Sequence, residues 1–142
     1  MQPLVLDTNV VLDAFVFADE RAQALAPAIA EGRFTWLATA AMREELQRVL
    51  GYDRIVPRLA FYGLDPADVL AAFDRFAQIV DVPAKATATC SDPDDQKFID
   101  LAVARSALLL SRDRAVLSMR NRLARLGVAV RAALGPVPAP LA

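Results

Sequence analysis

The residues of this chain best placed to do chemistry are carboxylates that directly follow apolar runs. Leu4, Val5 and Leu6 form a continuous apolar run that stops on Asp7, with Thr8 and Asn9 behind it. A second run, 107–110, passes through Ser111 and Arg112 into Asp113. Short runs of this kind suit strands buried on both faces of a parallel sheet. The carboxyl ends of parallel strands share one edge, and open α/β sheets hold their ligands there. Asp7 and Asp113 are therefore expected to converge. A buried carboxylate is costly unless positive charge compensates it, and a divalent cation would do so. Thr8 and Asn9 are both able to bond and orient the Asp7 carboxylate.

Further acids cluster in Asp92-Pro93-Asp94-Asp95. Asp followed by Pro is a helix start, and the helix dipole favours acids in a first turn without any function, so capping explains Asp92. Asp94 and Asp95 point about 100° apart on a helix, so only one of them faces the strand ends. Asp100 lies on a different face from Asp95 and reads as a peripheral charge. Glu44 and Glu45 sit in a helical stretch whose buried face is expected at Ala41, Leu46, Val49 and Leu50, and by pattern alone both read as solvated.

The chain has no histidine. That excludes Ser-His-Asp triads, Cys-His dyads, His-type zinc sites and His acid–base catalysis. Chemistry here must run on carboxylates, and carboxylate-only sites favour hard cations such as Mg²⁺ or Mn²⁺. Cys90 is the single cysteine, which forbids an internal disulfide and agrees with a reducing compartment. Residues 1–100 carry sixteen acids against nine bases, a balance of −7, whereas residues 101–142 carry seven Arg against Asp113 alone, a balance of +6. A basic last third beside an acidic remainder is compatible with a phosphate-binding surface next to a metal site. No apolar run is long enough to span a membrane and no signal-peptide pattern is present, so a cytoplasmic location is expected.

The elements that must position these acids follow from periodicity and stop signals. With 142 residues and 56% apolar content, one domain with a real core is expected. Helices are predicted over 10–18, 20–31, 40–50 (N-cap Thr39, with Gly51 past its end), 54–62, 66–77 and 92–106, and one or two more over 114–126. Short strands are predicted at 4–6, 34–37, 79–82, 107–110 and 128–130, with a polar loop over 84–91. Helices alternating with short apolar strands predict an α/β fold, a parallel sheet with helices on both faces.

Taken together, Asp7-Thr8-Asn9 after the first strand, Glu45-Leu46 with Val49-Leu50, the Asp92–Phe98 run with Ala102, and Ser111-Arg112-Asp113 resemble the PIN-domain ribonucleases in content and order, over residues 3 to 131. The Asp92–Phe98 run is most similar to a subgroup described as toxin components of toxin–antitoxin modules. The resemblance implies a three-layer α/β/α sandwich with a short central parallel sheet, residues 1–133 forming the PIN-like nuclease domain and 134–142 a Pro-rich C-terminal tail. It implies Asp7, Glu45, Asp95 and Asp113 as catalytic acids, with Asp7, Asp95 and Asp113 on the metal. Thr8, Asn9, Asp92, Asp94 and Ser111 would support them, and Arg112 and Arg114 would bind RNA.

The implied activity is Mg²⁺- or Mn²⁺-dependent endonucleolytic hydrolysis of RNA that leaves a 5′-phosphate. The implied partners are the RNA substrate, a small antitoxin protein covering the active groove, and a second copy of the chain in a homodimer. The rival reading is a catalytically silent PIN-fold module that binds RNA or protein. The four retained acids argue against it, because an RNA-binding face gains nothing from clustered carboxylates. A haloacid-dehalogenase-type phosphatase would need an acid where Asn9 stands.

Overall fold

Five short parallel strands in the order β3-β2-β1-β4-β5 form the centre of the protein. They are β1 (Gln2–Leu6), β2 (Phe34–Ala38), β3 (Ala77–Ile79), β4 (Leu108–Leu110) and β5 (Val130–Arg131). The computed structural model describes residues 1–17 and 19–134. The helices are α1 (Thr8–Phe15), α2 (Leu25–Ala30), α3 (Ala40–Leu50), α4 (Val56–Phe61), α5 (Pro66–Phe76), α6 (Gln96–Arg105), α7 (Arg114–Leu117) and α8 (Arg120–Arg125), with 3₁₀ turns at Glu20–Ala22 and Pro93–Asp95. The parallel α/β sheet flanked by helices is the architecture expected from the sequence.

The strand order places the functional edge. From β1 the chain steps outward to β2 and β3, then crosses back to lay β4 and β5 on the other side of β1. Right-handed crossovers then put the helices of the two halves on opposite faces. In accord with this, α1 packs with α2 and α3, and α3 with α5, while α6 packs on β1 and β4. The order reverses between β1 and β4, and such a reversal opens a crevice at the carboxyl ends of its two strands. Leu6 is in register with Leu110, so Asp7 and Ser111 leave those strands side by side. The Asp7 N–H donates to Leu110 O at 3.0 Å.

Leu4, Val5, Leu109 and Leu110 are buried, as a strand covered on both faces requires. On the α1/α5 side the core is aromatic: Trp36 stacks on Phe15 at 5.5 Å and meets Phe73 edge-on at 5.0 Å. Phe98 and Ile99 of α6 fill the opposite side.

Several sequence expectations shift for identifiable reasons. The helix expected over 20–31 is two pieces, because Pro27 has no N–H and clashes with a preceding turn, so it is tolerated only in the first turn of α2. The strand expected at 79–82 lies at Ala77–Ile79, which pairs with Trp36–Ala38 as an edge strand and leaves Ile79 and Val82 exposed. The helix expected over 10–18 begins at Thr8, because Asp7 caps it, and ends at Phe15; Ala18 lies outside the described residues. Thr39 occupies the N-cap position of α3 but makes no side-chain capping bond. The buried face of that helix is Met42, Leu46 and Leu50, with Ala41 exposed. Gly32 and Gly127 end their turns with φ of +79° and +82°, a left-handed backbone that a Cβ disfavours. Leu134 packs against the core, and the remainder of the Pro-rich tail, 135–142, lies outside the described residues.

Candidate active site

Three of the acids singled out by sequence meet at the β1/β4 crevice. One carboxylate oxygen from each of Asp7, Asp95 and Asp113 lies within 4.8 Å of the others. Each arrives by its own local logic. Asp7 ends β1 and caps α1, its Oδ1 accepting from the Asn9 N–H at 3.1 Å. Asp113 caps α7, its Oδ1 accepting from the Ala115 N–H at 2.9 Å. Asp95 ends the 3₁₀ turn that leads into α6. That helix runs back along the sheet to β4, so its N-terminus lies at the strands' carboxyl edge. Of the adjacent pair Asp94 and Asp95, only Asp95 faces inward, being 7% exposed.

Ser111 ties the cluster together. It is fully buried, donates its Oγ–H to Asp7 Oδ2 at 2.8 Å and accepts the Asp113 N–H at 3.1 Å. Glu45 approaches from α3 and sits one residue outward: Thr8 Oγ1 donates to its Oε2 at 3.0 Å, and Lys97 Nζ pairs with the same oxygen at 3.0 Å. Thr8 thus orients Glu45 rather than Asp7, and Asn9 serves Asp7 through its backbone N–H.

The electrostatics are those of carboxylates awaiting a counter-charge. Burial pushes the Asp95 carboxyl up to about 7, with Asp7 and Asp113 adding repulsion. Burial likewise raises Asp7; the Ser111 and Asn9 hydrogen bonds oppose the shift, while Asp113 and Glu45 add to it. Asp95 Oδ2 is buried with no hydrogen-bond partner among the described residues. A buried, unpartnered carboxylate oxygen beside two further carboxylates suits a hard divalent cation, and an all-oxygen donor set suits Mg²⁺ or Mn²⁺.

The remaining expected site residues take other positions. Asp92 caps the 3₁₀ turn, accepting the Asp94 N–H at 3.0 Å. Asp94 is exposed, and its backbone carbonyl accepts from Lys97 Nζ at 2.5 Å. Neither joins the three converging carboxylates. Arg112 turns inward and forms an ion pair with Asp13 of α1, the two side chains being 15% and 19% exposed. Arg114 is exposed on the first residue of α7.

Sequence reasoning missed four contributors. Lys97 pairs with Glu45, and Asp13 pairs with Arg112. Asp100 is not a peripheral charge: its Oδ1 accepts from Ala86 N and Gln96 Nε2, both at 2.8 Å. Gln96 also accepts the Cys90 N–H at 2.7 Å and donates to Ala88 O at 3.0 Å, so the pair fastens the 84–91 loop to α6. The i,i+4 spacing of Gln96 and Asp100 was the legible signal for this clamp. Cys90 is buried, which pushes its thiol pKa up and away from nucleophile chemistry.

Comparison with known proteins places this geometry. A family model described as PIN domain matches residues 3–115. No curated protein matches the chain. Among solved structures, the crystal structure of VapBC2 from Rickettsia felis bound to a DNA fragment from their promoter contains a similar chain. The two share 15% sequence identity and superpose with a TM-score of 0.59, over 91% of this chain and 97% of that one. At that identity the likeness is one of fold.

Proposed function

This chain belongs to the PIN-domain family, and on that premise we propose that it is a metal-dependent endoribonuclease, the toxin of a type II toxin–antitoxin module. PIN domains are typically nucleases, and the acidic cluster fits that chemistry. The observation that carries the reading is the convergence of Asp7, Asp95 and Asp113 within 4.8 Å around a buried, unpartnered carboxylate oxygen.

In this reading Asp7, Asp95 and Asp113 hold Mg²⁺ or Mn²⁺. When bound, the ion supplies Lewis acidity, which makes water more acidic and offsets charge building on the scissile phosphate. The protein's own groups do the positioning. Each Asp7 oxygen accepts one hydrogen bond, from Ser111 or Asn9, and keeps a lone pair for a cation. Ser111 holds Asp7 and Asp113 at a fixed separation. The Thr8 hydrogen bond and the Lys97 ion pair both fall on Glu45 Oε2. Thr8 and Lys97 keep that carboxylate in place.

The toxin assignment is supported by the Asp92–Phe98 run and by the shared fold with a VapBC2 chain. A small antitoxin partner, a homodimeric assembly and a cytoplasmic site of action belong to the same reading. Among the described residues, no helix is long and apolar enough to cross a membrane. The direct test incubates the purified protein with single-stranded RNA in Mn²⁺ and in EDTA, beside Asp7→Asn and Asp95→Asn. Cleavage in Mn²⁺ by the wild type alone is expected. Equal cleavage by the variants, or cleavage in EDTA, would remove the acidic cluster from the mechanism.

A further inference from the structure

We propose that the cleft beside the acidic cluster, walled by Arg54 and Arg58, is a subsite for the backbone phosphates of an unpaired nucleic-acid strand flanking the scissile bond; this rests on the nuclease reading above. The cleft has a volume of about 400 Å³ and is lined by Asn9, Asp13, Phe17, Arg54, Ile55 and Arg58, among others. It begins where the cluster ends, because Asn9 on its rim donates its N–H to Asp7 Oδ1. Asn9 and Asp13 are one i,i+4 step apart on α1, so the cleft follows that helix away from the carboxylates.

Its charge is available to a ligand. Asp13, the acid in the lining, is already neutralised by Arg112. Among the described residues neither Arg54 nor Arg58 is in an ion pair, and both are exposed. Two unneutralised guanidinium groups on one wall of a cleft are a phosphate-binding arrangement.

The aromatic groups around it point to an unpaired strand. The Arg58 guanidinium lies 3.6 Å from the centroid of the Phe17 ring, and Arg54 lies 5.6 Å from that of Tyr52. Tyr62 donates its hydroxyl to Phe17 O, and Phe61 meets Tyr62 edge-on at 5.2 Å while remaining 82% exposed. Proteins that bind single strands combine cationic side chains that track the backbone with aromatic faces that stack on bases. A duplex keeps its bases stacked on one another and offers Phe61 nothing to stack on.

The test measures anisotropy of a fluorescein-labelled oligouridylate with the full chain in EDTA, across a series of KCl concentrations. Each phosphate contact to a single strand contributes about 0.7 to the slope of log affinity against log salt. Arg54→Gln with Arg58→Gln should therefore flatten the slope by about 1.4. Arg58→Lys, which keeps the charge, should retain it, as should Arg122→Gln on α8. Phe61→Ala should weaken binding without changing the slope. An unchanged slope in the double variant, or displacement of the oligouridylate from the wild type by its duplex or by polyglutamate at equal concentration, would overturn the subsite. If the wild type proves inert toward RNA while the double variant still loses slope, the activity reading falls and the subsite stands.

Discussion

Ser111 and Asp7 are 104 residues apart in sequence and joined by a 2.8 Å hydrogen bond. That bond ties the exit of β4 to the exit of β1, the two strands between which the sheet reverses direction. Ser111→Ala leaves Asp7 Oδ2 and the Asp113 N–H without their partner in a buried site. The expected loss is about 1–3 kcal/mol of stability, since an unmade buried bond costs the desolvation of the group left behind. Urea unfolding in EDTA measures it. A variant as stable as the wild type would mean that the two strand ends are held by packing alone.

The raised Asp95 and Asp7 carboxyls set a pH dependence of the metal-free protein. The Asp95 pKa in the fold, about 7, lies above its ordinary value of 3.8, so between these values the folded state binds more protons than the unfolded. Stability therefore declines as pH rises from about 4 to about 7, and the Asp7 shift acts in the same direction. Thermal midpoints in EDTA across that range should fall for the wild type and flatten for Asp95→Asn. A midpoint that climbs with pH throughout would contradict the crowding of these acids.

Divalent cation should reverse that penalty. At neutral pH, Mn²⁺ at a hundred times its dissociation constant should stabilise the wild type by about 2.7 kcal/mol. Asp95→Asn should be more stable than the wild type in EDTA and gain far less from Mn²⁺. Calorimetric melting with and without the ion separates the two effects. A wild type indifferent to Mn²⁺ and Mg²⁺ would mean that the carboxylates hold no cation.

The Asp13–Arg112 pair is largely buried, so the two single variants and the double should diverge. Arg112→Met alone strands Asp13 and should cost about 3–5 kcal/mol. Arg112→Met with Asp13→Leu should recover most of that loss, because a desolvated pair exchanges for apolar packing at little net cost. Chemical denaturation of the three proteins decides it. A double variant no better than the single would show that the pair is irreplaceable in shape as well as charge.

Lys97 should matter to rate more than to stability. Its pairing with Glu45 is partly exposed, and pairs of that kind contribute about 0–1 kcal/mol. A double-mutant cycle on Lys97→Met and Glu45→Gln should give a stability coupling in that range. Cleavage by Lys97→Met should drop by up to about a hundredfold, the scale of a misplaced catalytic group. Unaltered cleavage by Lys97→Met would free Glu45 of any need for a tether.

The three converging acids were legible because each follows a strong local signal. Asp7 and Asp113 end apolar strands, and Asp95 sits just inside an Asp-Pro helix start. The convergence of Asp7 with Asp113 follows from those signals; the choice of Asp95 over Asp94 comes from the family resemblance, and the strand order comes from the structure. Glu45 was legible only by resemblance, since its neighbour Glu44 has the same local pattern and differs in what α3 packs against. The resemblance implies Arg112 as an RNA-binding residue, whereas the structure pairs it with Asp13. Its burial depends on Asp13, 99 positions earlier, and no local period encodes that contact. Arg54 and Arg58 carry no local signal either, because it is the packing of the fold that sets them on one cleft with Asn9 and Asp13 of α1. The third strand lies at Ala77–Ile79 rather than 79–82 because an edge strand takes its register from its neighbour rather than from its own apolar run.

β1 is the middle strand of five. Its amides are bonded on both sides and can exchange with deuterium only when the whole domain opens. Asp7 directly follows that strand, and Ser111, just past the end of β4, is bonded to it. The short helix α4, which carries Arg58 of the cleft wall, lies outside the sheet. The same groove therefore has one end anchored on the central strand of the sheet and another on a helix outside it.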